Sequence, residues 1–331
     1  MTYEEFICCV RNGMADILGN NVCVKLHKVL KNNDIELDAL TILNEKSNVS
    51  PTIYLNAYYE EWKNGRDIGD IISEIYQLYE EHSHNLHFDV DIFKDFEKIR
   101  GRIAYKLINT KANAKLLEDV PNVPFLDLSV VFYCMLDNDY LGSATALIHK
   151  IHQEMWGIRT NELYEIAKRN TPQILQYELR NMNDLIRDIL VDDLQKTIYE
   201  KDDRYDENCK LPNPEDVADG LMREINQAKE QIVMYVLTNK QRSNGAACML
   251  YENVIGDFAQ SMGEDVFILP SSVHEVILVP AIAGIQEEEL TRMVQEVNRE
   301  ELDDIDVLAD HVYYYSREQK GILTGKDKKK E

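Results

Sequence analysis

The stretch IVMYVLTNKQRSNGAACMLYENVIGDFAQSMGEDVFILPSSVHEVILVP, residues 232–280, decides the fold of this chain. Its segments 232–237 and 266–269 are rich in β-branched and aromatic residues, a composition typical of strands. Between them apolar residues recur at helical spacing, at Ala247, Leu250, Tyr251, Val254, Phe258 and Met262. A strand, a helix and a second strand in this order predict a right-handed βαβ unit with parallel strands.

A β-hairpin is expected directly after this unit. Pro270, Ser271 and Ser272 lie between two runs of β-forming residues, and such a segment is typical of a tight turn. We therefore predict an α+β fold with mixed sheets flanked by helices, in which a βαβ unit followed by a β-hairpin occupies the C-terminal half.

The rest of the chain alternates helical and extended patterns. Thr2 and Glu5 form a capping box before a helical apolar face, and the apolar run 125–135 predicts a central strand that is covered on both faces. The segment EDVPNVP, residues 118–124, has two prolines in four positions, which is typical of a boundary. We predict an N-terminal α+β region over 1–120, a C-terminal α+β domain over 121–322, and a disordered charged tail over 323–331.

The net charge of the chain indicates which classes of molecule it can bind. The chain of 331 residues carries a formal charge of -23, which disfavours direct binding of nucleic acid or of anionic lipid. One interpretation is that the charge serves solubility. The other is an acidic face, from the segments 202–207 and 287–306, that meets a basic protein or mimics a phosphate backbone.

The expected cellular location and the expected lack of a cofactor rest on motifs that the sequence does not contain. The apolar run 276–284 is too short to cross a bilayer, and residues 2–5 lack the pattern of a signal peptide. The six cysteines are scattered without a CxxC pair, which argues against a disulfide framework or a structural zinc site. We expect a cytoplasmic protein with no membrane segment and no cofactor.

The polar turn that follows the first strand is the main candidate binding site. A turn between a strand's carboxyl end and a helix N-terminus is a preferred ligand position, and its N–H groups favour anions. The candidate ligand-binding residues are Thr238, Asn239, Lys240, Arg242, Ser243, Asn244 and Gly245. The alternative is a polar surface turn in which Ser243 or Asn244 caps the helix.

A candidate catalytic group lies in the same stretch. Cys248 falls in the first turn of the predicted helix, where the helix dipole lowers the pKa of a thiol, and His274 and Glu275 follow the second strand. The candidate base is therefore His274, and the candidate nucleophile is Cys248, Ser271 or Ser272. Against this, His274 and Glu275 point to opposite faces of a strand, the GxSxG elbow is absent, and Cys248 stands beside the apolar stripe.

Histidines suggest a metal site only weakly. His82, His84 and His87 form the sequence HSHNLH, a spacing that gathers metal ligands in some irregular segments, although a solvated loop is the common outcome. His149 and His152 form HxxH but lack the glutamate of HExxH.

Several segments resemble an uncharacterised protein family. The motifs are TNK, GAACMLY and ILPSSVHEVIL within residues 235–279, together with WGIRTNELYEIAKRNTP and HVYYYSRE. The resemblance covers the C-terminal two thirds and is to a domain of unknown function in intracellular proteins of Gram-positive bacteria, especially gut anaerobes. It implies a bacterial cytoplasmic protein with an α+β fold, and it supplies no activity, ligand or catalytic residue.

Two functional hypotheses remain. The first is a non-catalytic cytoplasmic binding or interaction protein, an accessory or mobile-element protein, that uses the 238–245 turn or an acidic face to bind a small anion or a basic protein. The second is a Cys- or Ser-dependent hydrolase or transferase that uses Cys248 or Ser271/Ser272 with His274.

Overall fold

The computed structural model describes residues 1–19, 22–44, 52–83, 90–136, 145–200, 213–227, 232–270, 272–282 and 284–325. The chain divides into two compact units, Met1–Asn170 and Thr171–Glu331. Helices and antiparallel sheets occur in both units, so the predicted α+β class is confirmed. No helix in the described part of the chain is both long enough and apolar enough to span a membrane.

The elements that begin in the first unit are, in chain order, α1 (Tyr3–Leu18), β1 (Val22–Leu30), β2 (Glu36–Asn44), β3 (Thr52–Tyr54), α2 (Asn56–Lys63), α3 (Ile68–Ser83), α4 (Val90–Lys94), α5 (Phe96–Ile99), β4 (Ile103–Asn109), α6 (Ala114–Asp119), β5 (Asn122–Phe125), β6 (Leu128–Met135), β7 (Thr145–Leu147), α7 (Lys150–Trp156) and α8 (Thr160–Ile174). The predicted capping box is present, since Thr2 Oγ1 accepts from Glu5 N–H and Glu5 Oε2 accepts from Thr2 N–H. It orients α1 so that its apolar face packs on the sheet β1–β2–β3.

A buried asparagine fixes the β1–β2 connection to α6. Asn113 is 0% exposed, its Nδ2 donates to Asn33 Oδ1 (3.0 Å) and Asn109 O (2.8 Å), and its Oδ1 accepts from Asn33 N–H (2.7 Å). Asp34 then accepts two N–H groups at the start of α6, from Lys115 and Leu116. The β1–β2 turn is therefore held by the side chain of Asn113, eighty residues away from Asn33 in sequence.

The proline-rich segment predicted as a domain boundary is an edge strand. β5 pairs with β6, with Val123 opposite Val130, and it lies at the edge of the sheet β4–β6–β5. Proline is tolerated at such an edge because one side of the strand needs no ladder hydrogen bond. The two compact units divide after Asn170, and a domain boundary near residue 120 stays a prediction.

The second unit contains one six-stranded sheet. Its elements are β8 (Tyr177–Asn181), α9 (Met182–Glu200), α10 (Pro214–Gln227), β9 (Tyr235–Asn239), α11 (Val254–Met262), β10 (Val266–Leu269), β11 (Val276–Pro280), α12 (Glu287–Glu300), β12 (Tyr313–Ser316) and β13 (Gly321–Thr324). The strand order is β13-β12-β10-β11-β9-β8, and every neighbouring pair is antiparallel.

This topology corrects the prediction of a mixed sheet built on a βαβ unit. β9 and β10 both pair with β11 in antiparallel fashion, so they are parallel to each other but are separated by β11. The chain that leaves β10 returns beside it and occupies the position between the two strands. The helix between β9 and β10 is also broken, because a 3₁₀ turn over Gly245–Leu250 precedes α11 and Asn253 adopts a left-handed φ of 66°. The predicted tail begins within β13, and its residues 326–331 lie outside the described residues.

Candidate functional site

Three loops meet at one end of the six-stranded sheet and bring the predicted candidates together. Because Leu237 of β9 lies opposite Val276 of β11, the turn after β9 and the connection before β11 are neighbours. The carboxylate of Asp306 contacts His274 of this connection from a third loop. We call this group the His274 cluster: the turn 238–245, residues 272–275 and Asp306. Ser271 lies outside the described residues.

The turn is organised by the side chain of Asn239. This residue is 1% exposed, its Oδ1 accepts from the N–H groups of Gln241 (3.0 Å) and Ser243 (3.4 Å), and its Nδ2 donates to Ser243 O (2.7 Å). Such Asx hydrogen bonds are a standard reason for asparagine in turns. Asn239 therefore closes the turn on itself.

Three further backbone N–H groups of the turn donate to protein acceptors. Lys240 N–H donates to Gln176 O (3.0 Å), Arg242 N–H to Asn239 O (2.8 Å), and Asn244 N–H to His274 Nδ1 (3.2 Å). The Lys240 ammonium donates to Gln176 Oε1 at 2.7 Å. An anion site needs N–H groups that point at the ligand, so the small-anion hypothesis gains no support from this geometry.

His274 is held at both ring nitrogens. Since Nδ1 accepts the Asn244 N–H, the neutral imidazole carries its proton on Nε2, which donates to Asp306 Oδ1 at 3.2 Å. Ser272 is 5% exposed, and its Oγ accepts the His274 backbone N–H at 3.0 Å. A general base needs a nitrogen that faces the proton it removes. The His274 ring links its loop to the 238–245 turn and to Asp306, whereas Ser272 bonds within its own loop, where the Glu275 backbone carbonyl accepts the Ser272 N–H.

Cys248 is not an exposed nucleophile. Cys248 lies in the 3₁₀ turn and is 0% exposed. Burial raises the pKa of its thiol to about 12. The sequence predicted the opposite shift, from a helix dipole. A short buried 3₁₀ segment replaces the first turn of that helix, and desolvation of the thiolate outweighs any dipole.

Gly245 packs closely against Thr238 and the backbone of His274. Thr238 Oγ1 donates to the His274 carbonyl oxygen at 2.7 Å. A Cβ on Gly245 would overlap both of these oxygens and would lie 2.8 Å from Asn239 N. The glycine is therefore required by space, and it lets the turn lie directly against the β10–β11 connection.

The histidine motifs give no metal centre in the described part of the chain, which contains no group of three metal-ligating side chains. His84 and His87 lie outside the described residues, and only the backbone of His82 is described, within α3. His149 Nδ1 instead contacts Asp119 Oδ2 at 2.6 Å, and its N–H donates to His152 Nδ1 at 3.0 Å. This pair caps the start of α7.

An acidic, partly apolar surface is formed by α12. Leu290 and Val294 anchor this helix on the sheet. Away from this contact Met293 and Val297 are 36% and 38% exposed. We define the acidic face by these two residues and the exposed carboxylates that border them at helical spacing, Glu289, Glu296 and Glu300.

An open cleft at the opposite end of the sheet from the His274 cluster was missed by the sequence analysis. It encloses about 900 Å³ between α11 and the turn that joins β12 to β13. Its residues come from segments as far apart as Asn253 and Lys320, so no local motif marks it.

Comparison with known proteins identifies one family. The description "Family of unknown function (DUF5688)" matches residues 3–317. No curated protein and no solved structure matches the chain.

Proposed function

The chain belongs to this family of unknown function, and we propose that it is a non-catalytic protein whose acidic face binds a basic, amphipathic helical segment of a partner protein. The observation that carries the proposal is the exposure of Met293 and Val297, one helical turn apart, between three carboxylates.

The spacing of the acidic face suits a helical partner. Residues four apart lie on the same side of a helix, so Met293 and Val297 form a short apolar ridge. Glu289 and Glu296 border Met293, and Glu300 borders Val297. Amphipathic helices bind through apolar anchors that recur at this spacing, and methionine adapts to irregular partner surfaces.

The charge of the surrounding segment favours a basic partner. Residues 287–310 contain ten carboxylates and two arginines, and Arg299 donates to Glu300 at 2.8 Å. A concentration of one sign of charge raises the association rate of an oppositely charged partner and is screened by salt. Lys and Arg beside the partner's apolar anchors would meet the bordering carboxylates.

For the alternative, a Cys- or Ser-dependent enzyme, the described residues do not show an accessible nucleophile beside a free base. A Cys- or Ser-dependent hydrolase needs an accessible nucleophile and a free base. Cys248 is buried with a raised pKa, and both ring nitrogens of His274 are engaged.

The proposed location is the cytoplasm. The cysteines that the structure describes are all free, and Cys8, Cys9 and Cys23 are exposed. Exposed free thiols suit a reducing compartment. An origin in Gram-positive gut bacteria and an accessory or mobile-element role belong to the same proposal.

A synthetic peptide tests the acidic face. The probe is a fluorescent peptide with leucine and lysine at helical spacing, compared with a peptide of the same composition in which that spacing is broken. The intact chain should bind the first peptide more tightly, with an affinity that falls as salt is added. Replacing Met293 with serine should weaken binding about tenfold, or ~1.4 kcal/mol.

The matched control is Met262→Ser, because Met262 is 37% exposed on α11 outside the acidic face. Its affinity for the helical peptide should equal that of the parent. Equal binding of both peptides, or an unchanged affinity in Met293→Ser, would show that the acidic face does not recognise amphipathic helices.

A further inference from the structure

The open cleft has one wall that is fixed by a carboxylate. Asp265 Oδ2 accepts the Tyr314 hydroxyl at 2.5 Å, and its Oδ1 accepts the Arg317 N–H at 3.0 Å. Burial and then the hydrogen bond to Asp265 raise the pKa of Tyr314, so the hydroxyl stays protonated as the donor. These bonds attach the β12–β13 turn to the start of β10 and so fix one wall of the cleft.

The second wall of the cleft is formed by α11, where Gly256 leaves space for the phenol ring of Tyr315. A Cβ on Gly256 of α11 would lie 2.9 Å from the Tyr315 hydroxyl oxygen. Tyr315 and Tyr314 are successive strand residues and point to opposite faces, yet both line the cleft. The cleft therefore takes in the end of the sheet, where a ligand can contact both tyrosines.

Both signs of charge line the cleft. Arg317 and Lys320 are exposed on the β12–β13 turn beside the carboxylate of Glu318, whereas Asp257 and Glu264 are exposed on and just after α11. Among the described residues none of these side chains forms an ion pair with another. A ligand that carries both a carboxylate and an ammonium group would pair with the two cations and with the carboxylates of the α11 wall.

We propose that this cleft binds a small zwitterionic molecule of the amino-acid or dipeptide class. Its carboxylate would pair with Arg317 and Lys320, because guanidinium and ammonium groups bind carboxylates in charge-assisted hydrogen bonds. Its ammonium group would lie near Asp257 and Glu264. A volume of about 900 Å³ falls in the range of small-molecule sites, and a nucleotide fits poorly because the carboxylates of the α11 wall repel phosphate.

Isothermal titration of the intact chain tests the site. The probes are dipeptides with neutral, acidic and basic side chains, and each is compared with succinate and with 1,4-diaminobutane, which carry only one sign of charge. At least one dipeptide should bind, and neither single-sign probe should. The double variant Arg317→Gln/Lys320→Gln should lose about tenfold in affinity, and Tyr315→Phe should show a smaller loss.

The control variant is Arg223→Gln, because Arg223 is exposed on α10 and does not line the cleft. It should bind the dipeptide as the parent does, and so should Met293→Ser, which separates this site from the acidic face. Absence of binding by every dipeptide, binding of succinate or diaminobutane with equal affinity, or an unaffected double variant would overturn the proposal.

Discussion

Replacing Gly245 with alanine should destabilise the second unit markedly. The new Cβ would overlap the Thr238 hydroxyl and the His274 carbonyl oxygen, and it would lie 2.8 Å from Asn239 N. Two of these three atoms belong to the backbone, so they cannot move by a change of rotamer. Overpacking of this kind costs about 1–3 kcal/mol, and loss of the hydrogen bond between Thr238 and His274 adds about 1 kcal/mol.

The expected sum, about 3 kcal/mol, is measurable by thermal unfolding. In a unit of this size each kcal/mol lowers the midpoint by about 2–4 °C, so a fall of roughly 10 °C is expected. Hydrogen exchange gives a local readout, because the Asn244 amide donates to His274 Nδ1 and should exchange faster in Gly245→Ala even below the transition.

Gly220→Ala is the matched control, since no atom lies within 4 Å of a Cβ at Gly220 in α10. This change should be neutral or stabilise by about 0.5 kcal/mol, because alanine loses less backbone entropy in a helix. A midpoint for Gly245→Ala equal to that of Gly220→Ala, with unchanged exchange at Asn244, would refute the claim that the turn is closed by steric contact.

Three further outcomes are expected. Asn113→Ala should lower the free energy of unfolding in urea by about 2–4 kcal/mol, because it removes three buried hydrogen bonds; a loss below about 0.5 kcal/mol would contradict this. In native protein at pH 8, iodoacetamide should modify exposed Cys23 and spare Cys248, whose pKa burial raises to about 12; equal rates by mass spectrometry would restore the nucleophile hypothesis. Burial and then Glu74 raise the pKa of Tyr58 from its ordinary 10.0 to about 12, so its stabilisation is complete below pH 10 and is lost as pH rises towards 12. Tyr58→Phe should therefore show a shallower loss of stability over that window, and an unchanged slope would argue against the shift.

Local patterns in the sequence were sufficient for most elements. The capping box at Thr2 and the apolar run that became β6 required only neighbouring residues, and both predictions are confirmed. β6 is buried along its whole length, with β4 on one side and β5 and β7 on the other, as its lack of alternation indicated. Periodicity reports which face of an element is buried, and this information is local.

Local patterns in the sequence did not predict which strands pair with each other. Segments β9, β10 and β11 were all recognised as extended, but their order in the sheet depends on contacts between distant residues. A strand–helix–strand pattern favours adjacent parallel strands, and nothing in the sequence of β11 shows that it lies between them. The break at Asn253 was equally hidden, since the apolar stripe continues across it.

For the candidate sites, too, the sequence predicted local features but not the contacts between distant residues. The sequence placed the 238–245 turn and His274 in one stretch, and the structure brings them into contact. What the sequence did not show is that donors of the turn already bond to Asn239, His274 and Gln176. The cleft depends on Asp265, Tyr314 and Arg317, whose separation in sequence and ordinary composition provide no motif.

The position of β11 also constrains how the second unit assembles. β11 alone joins the ladder of β8 and β9 to the ladder of β10, β12 and β13. During synthesis β9 and β10 therefore cannot join one sheet until the segment ending at Pro280 has left the ribosome. A chain truncated before Val276 would leave unpaired the edge of β9 that faces β11 and both edges of β10, because β12 also comes later in the chain. Each exposed edge is a template for pairing with another chain, so incomplete chains of this protein should be substrates for aggregation or for chaperone capture. Completion of β11 covers the edge of β9 and one edge of β10 together.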